Sequence, residues 1–194
     1  MKLSLELKYQ TPKEWANVAL SDFNSFLQDH ADCERKASAM AMSFVAKCPD
    51  RTEIIPLLIE TAKEELEHFQ QVYDLMQKRG IRLKSEIDED KYVNELIKLC
   101  RSGREERLLD RMLLASIIEC RGAERFRLIH EALKEEELKK FYKMLWAAEA
   151  KHGNIFVEMA LNYWDEKTVY ERLEQLNHAE AKICKELPWR AAMH

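Results

Sequence analysis

Helix-breaking residues are nearly missing from this chain, and that scarcity constrains its fold more than any other feature. Four glycines and four prolines occur in 194 residues, about 4% against a usual combined share of roughly 12%. Sheet proteins need glycine, asparagine and proline at their many turns, so the scarcity argues against all-β and doubly wound folds. With 46% hydrophobic and 34% charged residues, the chain is neither disordered nor collagen-like. It is long enough to bury a sizeable core. A single all-α domain over residues 1–194 is expected.

The few breakers and caps divide it into helices. Thr11-Pro12-Lys13-Glu14 reads as a capping box with proline at the first helical position, opening a short helix through Trp15 and Val18. Ser21 can cap the next, which runs to about Lys47 before Cys48-Pro49-Asp50 breaks it. Asp50 with Glu53 forms a second capping box, and Gly80 stops that helix after about Arg79. Residues 81–103 are more polar, with a short amphipathic stretch from Tyr92 to Leu99. Ser102 with Glu105 opens a long helix to about His130. A turn near Lys134 leads to another ending near Trp164, and Asp165 caps a last one that ends before Pro188. Four long helices of about 27 residues thus form two tight hairpins. The connection between the hairpins is long enough to cross a bundle. This predicts a ferritin-like four-helix bundle with one long crossover and extra short helices at the N- and C-terminal ends.

Two histidines follow a glutamate by three residues, in Glu65-Leu66-Glu67-His68 and Glu149-Ala150-Lys151-His152. Residues three apart share a helix face, so each pair can ligate one metal. Glu34 falls on a stripe with Leu27, Ala31, Ala41 and Val45, and Glu119 on one with Met112, Ala115, Gly122 and Phe126. A carboxylate on such a stripe is costly unless paired or metal-bound. Glu34 and Glu65 lie 31 residues apart, centred on Pro49; Glu119 and Glu149 lie 30 apart, centred on residue 134. In an antiparallel hairpin, residues equidistant from the turn sit level. Glu34, Glu65, His68, Glu119, Glu149 and His152 therefore form the candidate ligand set, a constellation known from di-iron and di-manganese carboxylate bundles. Carboxylate oxygens with one imidazole per metal suit Fe(II) or Mn(II) better than zinc. Glu124 competes with Glu119, but its distance of 25 residues from Glu149 breaks the symmetry.

Other features are read more plainly. Glu60, Glu64 and Glu67 form a solvated face. His30, one turn before Glu34, is expected on the helix surface or behind the ligands. Glu174 and His178 form a surface pair, and Tyr142, Trp146 and Phe156 belong to the core. Gly122 and Gly153 adjoin ligand regions, where a missing side chain leaves room for metal, oxygen or substrate. Two basic clusters, Lys78-Arg79 with Arg82 and Lys84, and Arg101, Arg104, Arg107 and Arg111, flank the crossover; such runs are usually solvated faces, and phosphate contact is the alternative. The net charge of −4 confines any nucleic-acid contact to a local patch. No apolar run approaches the roughly 18 residues of a membrane span, and Lys2, Glu6 and Lys8 are unlike a signal peptide. Five cysteines, none in CxxC spacing, fit reduced thiols in a cytoplasmic protein.

The segments DHADCERKASAMAMSF, KEELEHF, LLASIIECRGAERF and AAEAKHGNIF resemble the tRNA-(2-methylthio-N6-isopentenyladenosine) hydroxylases of the MiaE type over nearly the whole chain. The resemblance implies a non-haem di-iron monooxygenase with two iron ions, O2 as co-substrate and an external electron donor or reductase. It implies that Glu65 and Glu149 bridge the metals, and that the substrate is the modified adenosine of a tRNA anticodon loop. A monomer is expected. The rival reading is a ferritin-like iron store or peroxide scavenger.

Overall fold

A computed structural model describes residues 5–86 and 89–194; Lys2 lies outside them. The described residues form seven helices and no strand: α1 (Glu14–Ser21), α2 (Phe23–Lys47), α3 (Ile55–Lys78), α4 (Lys91–Lys98), α5 (Arg104–Ala132), α6 (Glu136–Leu161) and α7 (Glu166–Glu186). The all-α expectation holds. The four long helices α2, α3, α5 and α6 have 25, 24, 29 and 26 residues, and the crossover carries the expected short amphipathic helix. The chain forms two compact units, one built on α2 and α3 with Arg190–Met193, the other on α4–α7 with the N-terminal segment and His194.

Helix ends follow local chemistry, with several differences from the sequence expectations. Thr11 does not cap α1: its backbone N–H and its hydroxyl both donate to the Glu124 carboxylate. Asp22, not Ser21, caps α2 by accepting from the Ser25 N–H at 3.1 Å. Ile54, not Asp50, is the N-cap of α3, which starts at Ile55 with proline in its first turn, where a missing N–H costs nothing. α5 starts after Gly103 without a side-chain cap, and not from Ser102. Gly80 and Asp165 act as read, whereas α6 stops at Leu161, short of Trp164, and Asp90 is a cap the sequence reading did not name. Gly80, at φ 68°, takes the left-handed conformation that ends α3, and the Ile81 N–H returns to the Met76 carbonyl. Asp90 and Asp165 cap α4 and α7 through the N–H groups of Val93 and Thr168.

In the first unit, α2 and α3 pair as a hairpin. Ala31, Ala41 and Ala62 are buried small residues that let the helices approach, and the Ser38 hydroxyl donates to the Ala62 carbonyl at 2.7 Å. In the second unit, α5 is central and packs on α6, α7 and α4. Burial on several faces encloses even its charges, so each must be paired. Asp110, fully buried, accepts from Arg101 and Arg172 at 2.8–3.0 Å. Burial alone would raise the Asp110 pKa, but the hydrogen bonds from Arg172 and Arg101 outweigh it and hold the carboxyl below its usual value.

Replacing Asp110 with Asn should therefore lower stability at neutral pH by about 3 kcal/mol, since it removes one partner from a buried ion-pair cluster. The Asp110 contribution is present above the ordinary carboxylate pKa and is lost as pH falls through its depressed folded value. Denaturant titrations should show the gap between wild type and variant narrowing below about pH 4. A gap that stays constant down to pH 2 would show that the charge of Asp110 contributes nothing.

Candidate metal centre

Each long hairpin gathers one lone glutamate and one Glu-x-x-His pair. On α2 and α3, ligand atoms of Glu34, Glu65 and His68 lie within 4.8 Å of one another; on α5 and α6, those of Glu119, Glu149 and His152 do the same. All six side chains are buried. The two groups repeat one geometry. His68 Nδ1 stands 3.3 Å from Glu65 Oε2, and His152 Nδ1 stands 3.3 Å from Glu149 Oε2. One helical turn sets this distance, because residues i and i+3 stack on the same face. Glu34 Oε2 lies 3.7 Å from His68 Nδ1.

The donor set fits a pair of divalent cations. Two carboxylates and one imidazole per group offer oxygen and nitrogen with no thiolate, which suits iron or manganese. Burial also makes three ionisable groups so close together expensive unless positive charge accompanies them.

Glu124, the competitor of Glu119, has another task. Five residues of helix turn it roughly 140° away from Glu119. Its Oε1 accepts the Thr11 N–H at 2.8 Å and its Oε2 the Thr11 hydroxyl at 2.6 Å. Arg121 donates to the same Oε2. Arg121 also donates from Nε and Nη2 to the two oxygens of Glu180, at 2.8 and 3.0 Å. Tyr92 and Cys184 complete the shell of Glu180. Burial disfavours the charge of Arg121, but these bonds to Glu180 more than offset it and raise its pKa. Sequence reasoning missed this network. Its one local trace was Arg121 and Glu124 at i, i+3, a spacing common on solvated faces as well.

His30 is buried, and its Nε2 lies 2.7 Å from Glu34 Oε1, so it stands against the Glu34 carboxylate and not on the surface. Glu174 and His178 form the expected exposed pair at 3.1 Å, with Lys8 on Glu174 at 2.7 Å. Tyr142 and Phe156 are fully buried, and Trp146 is half-buried near His130. Of the basic clusters, Arg101 is committed to Asp110 and Glu106, while Lys78, Arg82, Arg104 and Arg107 are exposed. All five cysteines are free thiols, and burial pushes Cys120 up to about 12.

The glycines differ in role. A Cβ on Gly153 would meet Cys120 Sγ at 2.5 Å and the Ser116 carbonyl at 3.4 Å, so this glycine lets α6 press onto α5 and opens no space for a ligand. The Ser116 hydroxyl seals that crossing on the Gly153 carbonyl at 2.7 Å. A Cβ on Gly122 would meet only Glu149 Cγ, at an ordinary 3.8 Å.

A family described as tRNA-(MS2IO6A)-hydroxylase (MiaE) matches residues 2–194. The chain belongs to the MiaE family. A tRNA 2-(methylsulfanyl)-N(6)-isopentenyladenosine(37) hydroxylase of Pseudomonas putida is 35% identical over 175 residues, 90% of this chain and 84% of that protein. The hydroxylase of the same name from Salmonella typhimurium is 32% identical over 108 residues, 56% of this chain and 39% of that one. Among solved structures, a Synechococcus protein described as having aldehyde deformylating oxygenase activity superposes with a TM-score of 0.91 at 32% identity, covering 97% of this chain and 94% of that one. This MiaE family member thus shares its ferritin-like helical fold with an oxygenase. No helix of the described residues is long and apolar enough to cross a membrane.

The glycine geometry gives opposite signs for one substitution. Gly153→Ala should destabilise by about 1–3 kcal/mol through overpacking against Cys120. Gly122→Ala should be neutral or stabilising by up to about 1 kcal/mol, because alanine is the better helix former and meets no clash. Urea unfolding of both variants checks this, and equal effects of one sign would refute the assignment of Gly153 to the helix crossing.

Proposed function

We propose that this chain is an O2-dependent di-iron monooxygenase that hydroxylates the isopentenyl group of 2-methylthio-N6-isopentenyladenosine in tRNA. The observation that carries the reading is the repeated buried Glu/Glu/His group, one per hairpin, in a chain that matches the MiaE family over residues 2–194. Residues 1–194 act as one di-iron domain, in which Glu34, Glu65 and His68 would hold one iron and Glu119, Glu149 and His152 the other, with Glu65 and Glu149 the carboxylates that the family resemblance makes candidates to bridge. Bound iron supplies the activation of O2 that no side chain in the set can supply itself.

The protein residues do the rest. The four carboxylates balance the charge of two divalent cations. The two imidazoles complete the donor sets, and the i, i+3 spacing fixes their approach. Leu27 on the Glu34 stripe and Met112 and Phe126 on the Glu119 stripe are buried apolar residues, and the burial of the donors themselves keeps bulk water from them. Inserting one oxygen atom into a C–H bond reduces the other to water, which consumes two electrons and two protons. The chain carries no flavin or nicotinamide fingerprint, so a separate reductase or other external donor provides the electrons. The substrate nucleotide lies in the anticodon loop, where a base is extruded at modest cost. The enzyme works as a monomer in the cytoplasm. The family match does not favour an iron store or a peroxide scavenger.

Nucleoside analysis of tRNA from cells lacking the gene tests the reading. The hydroxylated isopentenyl nucleoside should vanish and its unhydroxylated precursor accumulate. Wild type should restore it, and Glu149→Ala should restore less than about 1% of it, a loss typical of removing a metal ligand. Persistence of the hydroxylated nucleoside in the deletion strain would refute the proposal.

A further inference from the structure

Each hairpin carries a hydroxyl-to-carbonyl bond placed in the same way against its Glu/Glu/His group. On α2 the Ser38 hydroxyl, four residues after Glu34, donates to the Ala62 carbonyl of α3, three residues before Glu65, at 2.7 Å. On α5 the Ser116 hydroxyl, three residues before Glu119, donates to the Gly153 carbonyl of α6, four residues after Glu149, also at 2.7 Å. In both hairpins the hydroxyl stands on the helix of the lone glutamate and the carbonyl on the helix of the Glu-x-x-His pair. Offsets of three and four residues put each bonding group one turn away on the glutamate's own face. Ser38 and Ala62 are 24 residues apart, centred on residue 50; Ser116 and Gly153 are 37 apart, centred between residues 134 and 135. Each centre lies within one residue of the centre of the corresponding glutamate pair.

We propose that Ser38 and Ser116 are positioning residues whose hydroxyls set the register of the two hairpins, holding Glu34 level with Glu65 and Glu119 level with Glu149 so that each group meets its metal ready-formed. The small residues at these crossings allow close approach but fix no register, because apolar contact is non-directional and survives a slide along the helix axis. A hydroxyl bond does not survive it. A slip of one turn, about 5.4 Å, breaks the bond, and a slip of one residue, about 1.5 Å, lengthens it and bends it away from its preferred angle. A carbonyl has two lone pairs, so Ala62 and Gly153 accept the hydroxyls without leaving the helical ladder. The inference rests on the di-iron reading above.

The test removes each hydroxyl and reads metal affinity on the full-length protein by anaerobic Fe(II) titration in a calorimeter. Wild type should show two binding steps. Ser38→Ala and Ser116→Ala should each weaken one step about tenfold and leave the other within about threefold, and the double variant should weaken both. Alanine is the better helix former, so neither variant should lose helical content. Ser38→Thr, which keeps a hydroxyl at a half-buried position, should stay within about threefold of wild type at both steps. Asp22→Ala and Asp165→Ala remove the caps of α2 and α7 and control for stability alone. Both should lower the urea midpoint and leave both binding steps within about threefold. Serine-to-alanine variants that bind within about threefold of wild type, or cap variants that lose as much affinity as they do, would overturn the role of the two serines. So would Ser38→Thr losing as much as Ser38→Ala. Fewer than two irons bound by wild type would instead overturn the di-iron reading on which the inference rests.

Discussion

A carboxylate enclosed by apolar side chains must be neutralised or hydrogen-bonded, or the fold pays several kcal/mol for it. That requirement shapes both long hairpins. Glu34, Glu65, Glu119 and Glu149 are all buried, and each Glu-x-x-His pair holds an imidazole 3.3 Å from a carboxylate oxygen. The small residues that let the helices close, Ala62 in one hairpin and Gly153 in the other, accept serine hydroxyls at 2.7 Å within about a turn of these groups. Close helix approach and the placement of these buried Glu/Glu/His groups are therefore one construction.

α5 shows two solutions to the same problem on one helix. Glu119 joins an all-oxygen-and-imidazole group with Glu149 and His152, the kind a metal neutralises. Glu124, on a different face, is neutralised by Arg121 and by two donors from Thr11. Arg121 in turn grips Glu180 of α7 with two parallel bonds, a geometry that only a guanidinium offers. The N-terminal segment is thereby tied to the helix that carries Glu119 and Gly122. Chemistry and structural support occupy separate faces of α5, which is why so many charged residues on it are buried.

Much of this was legible in the sequence because it depends on short-range rules. Pro49 marked the turn of the first hairpin and Gly80 its end, and i, i+3 spacing with equal distances from the turns pointed to all six residues of the two groups. What was not legible depended on contacts distant in sequence. Arg121 and Glu180 are 59 residues apart, and Thr11 and Glu124 are 113 apart; no periodicity connects them. The helix starts were misplaced for a related reason. Asp50 with Glu53 and Ser102 with Glu105 satisfy a capping pattern, but proline in the first turn of α3 and the extended Gly103 before α5 set the starts instead. The same limit applies to Gly153: its position beside a ligand suggested open space, while its contact with Cys120 shows a tight crossing.

The central claim is that each hairpin holds one iron through its own Glu/Glu/His group. Metal analysis after anaerobic Fe(II) loading and desalting tests it most directly, on wild type and on one variant from each hairpin, Glu65→Ala and Glu149→Ala. The account predicts two irons per chain for wild type and no more than about one for either variant, with helical content retained by circular dichroism. Two irons retained in either variant would contradict it.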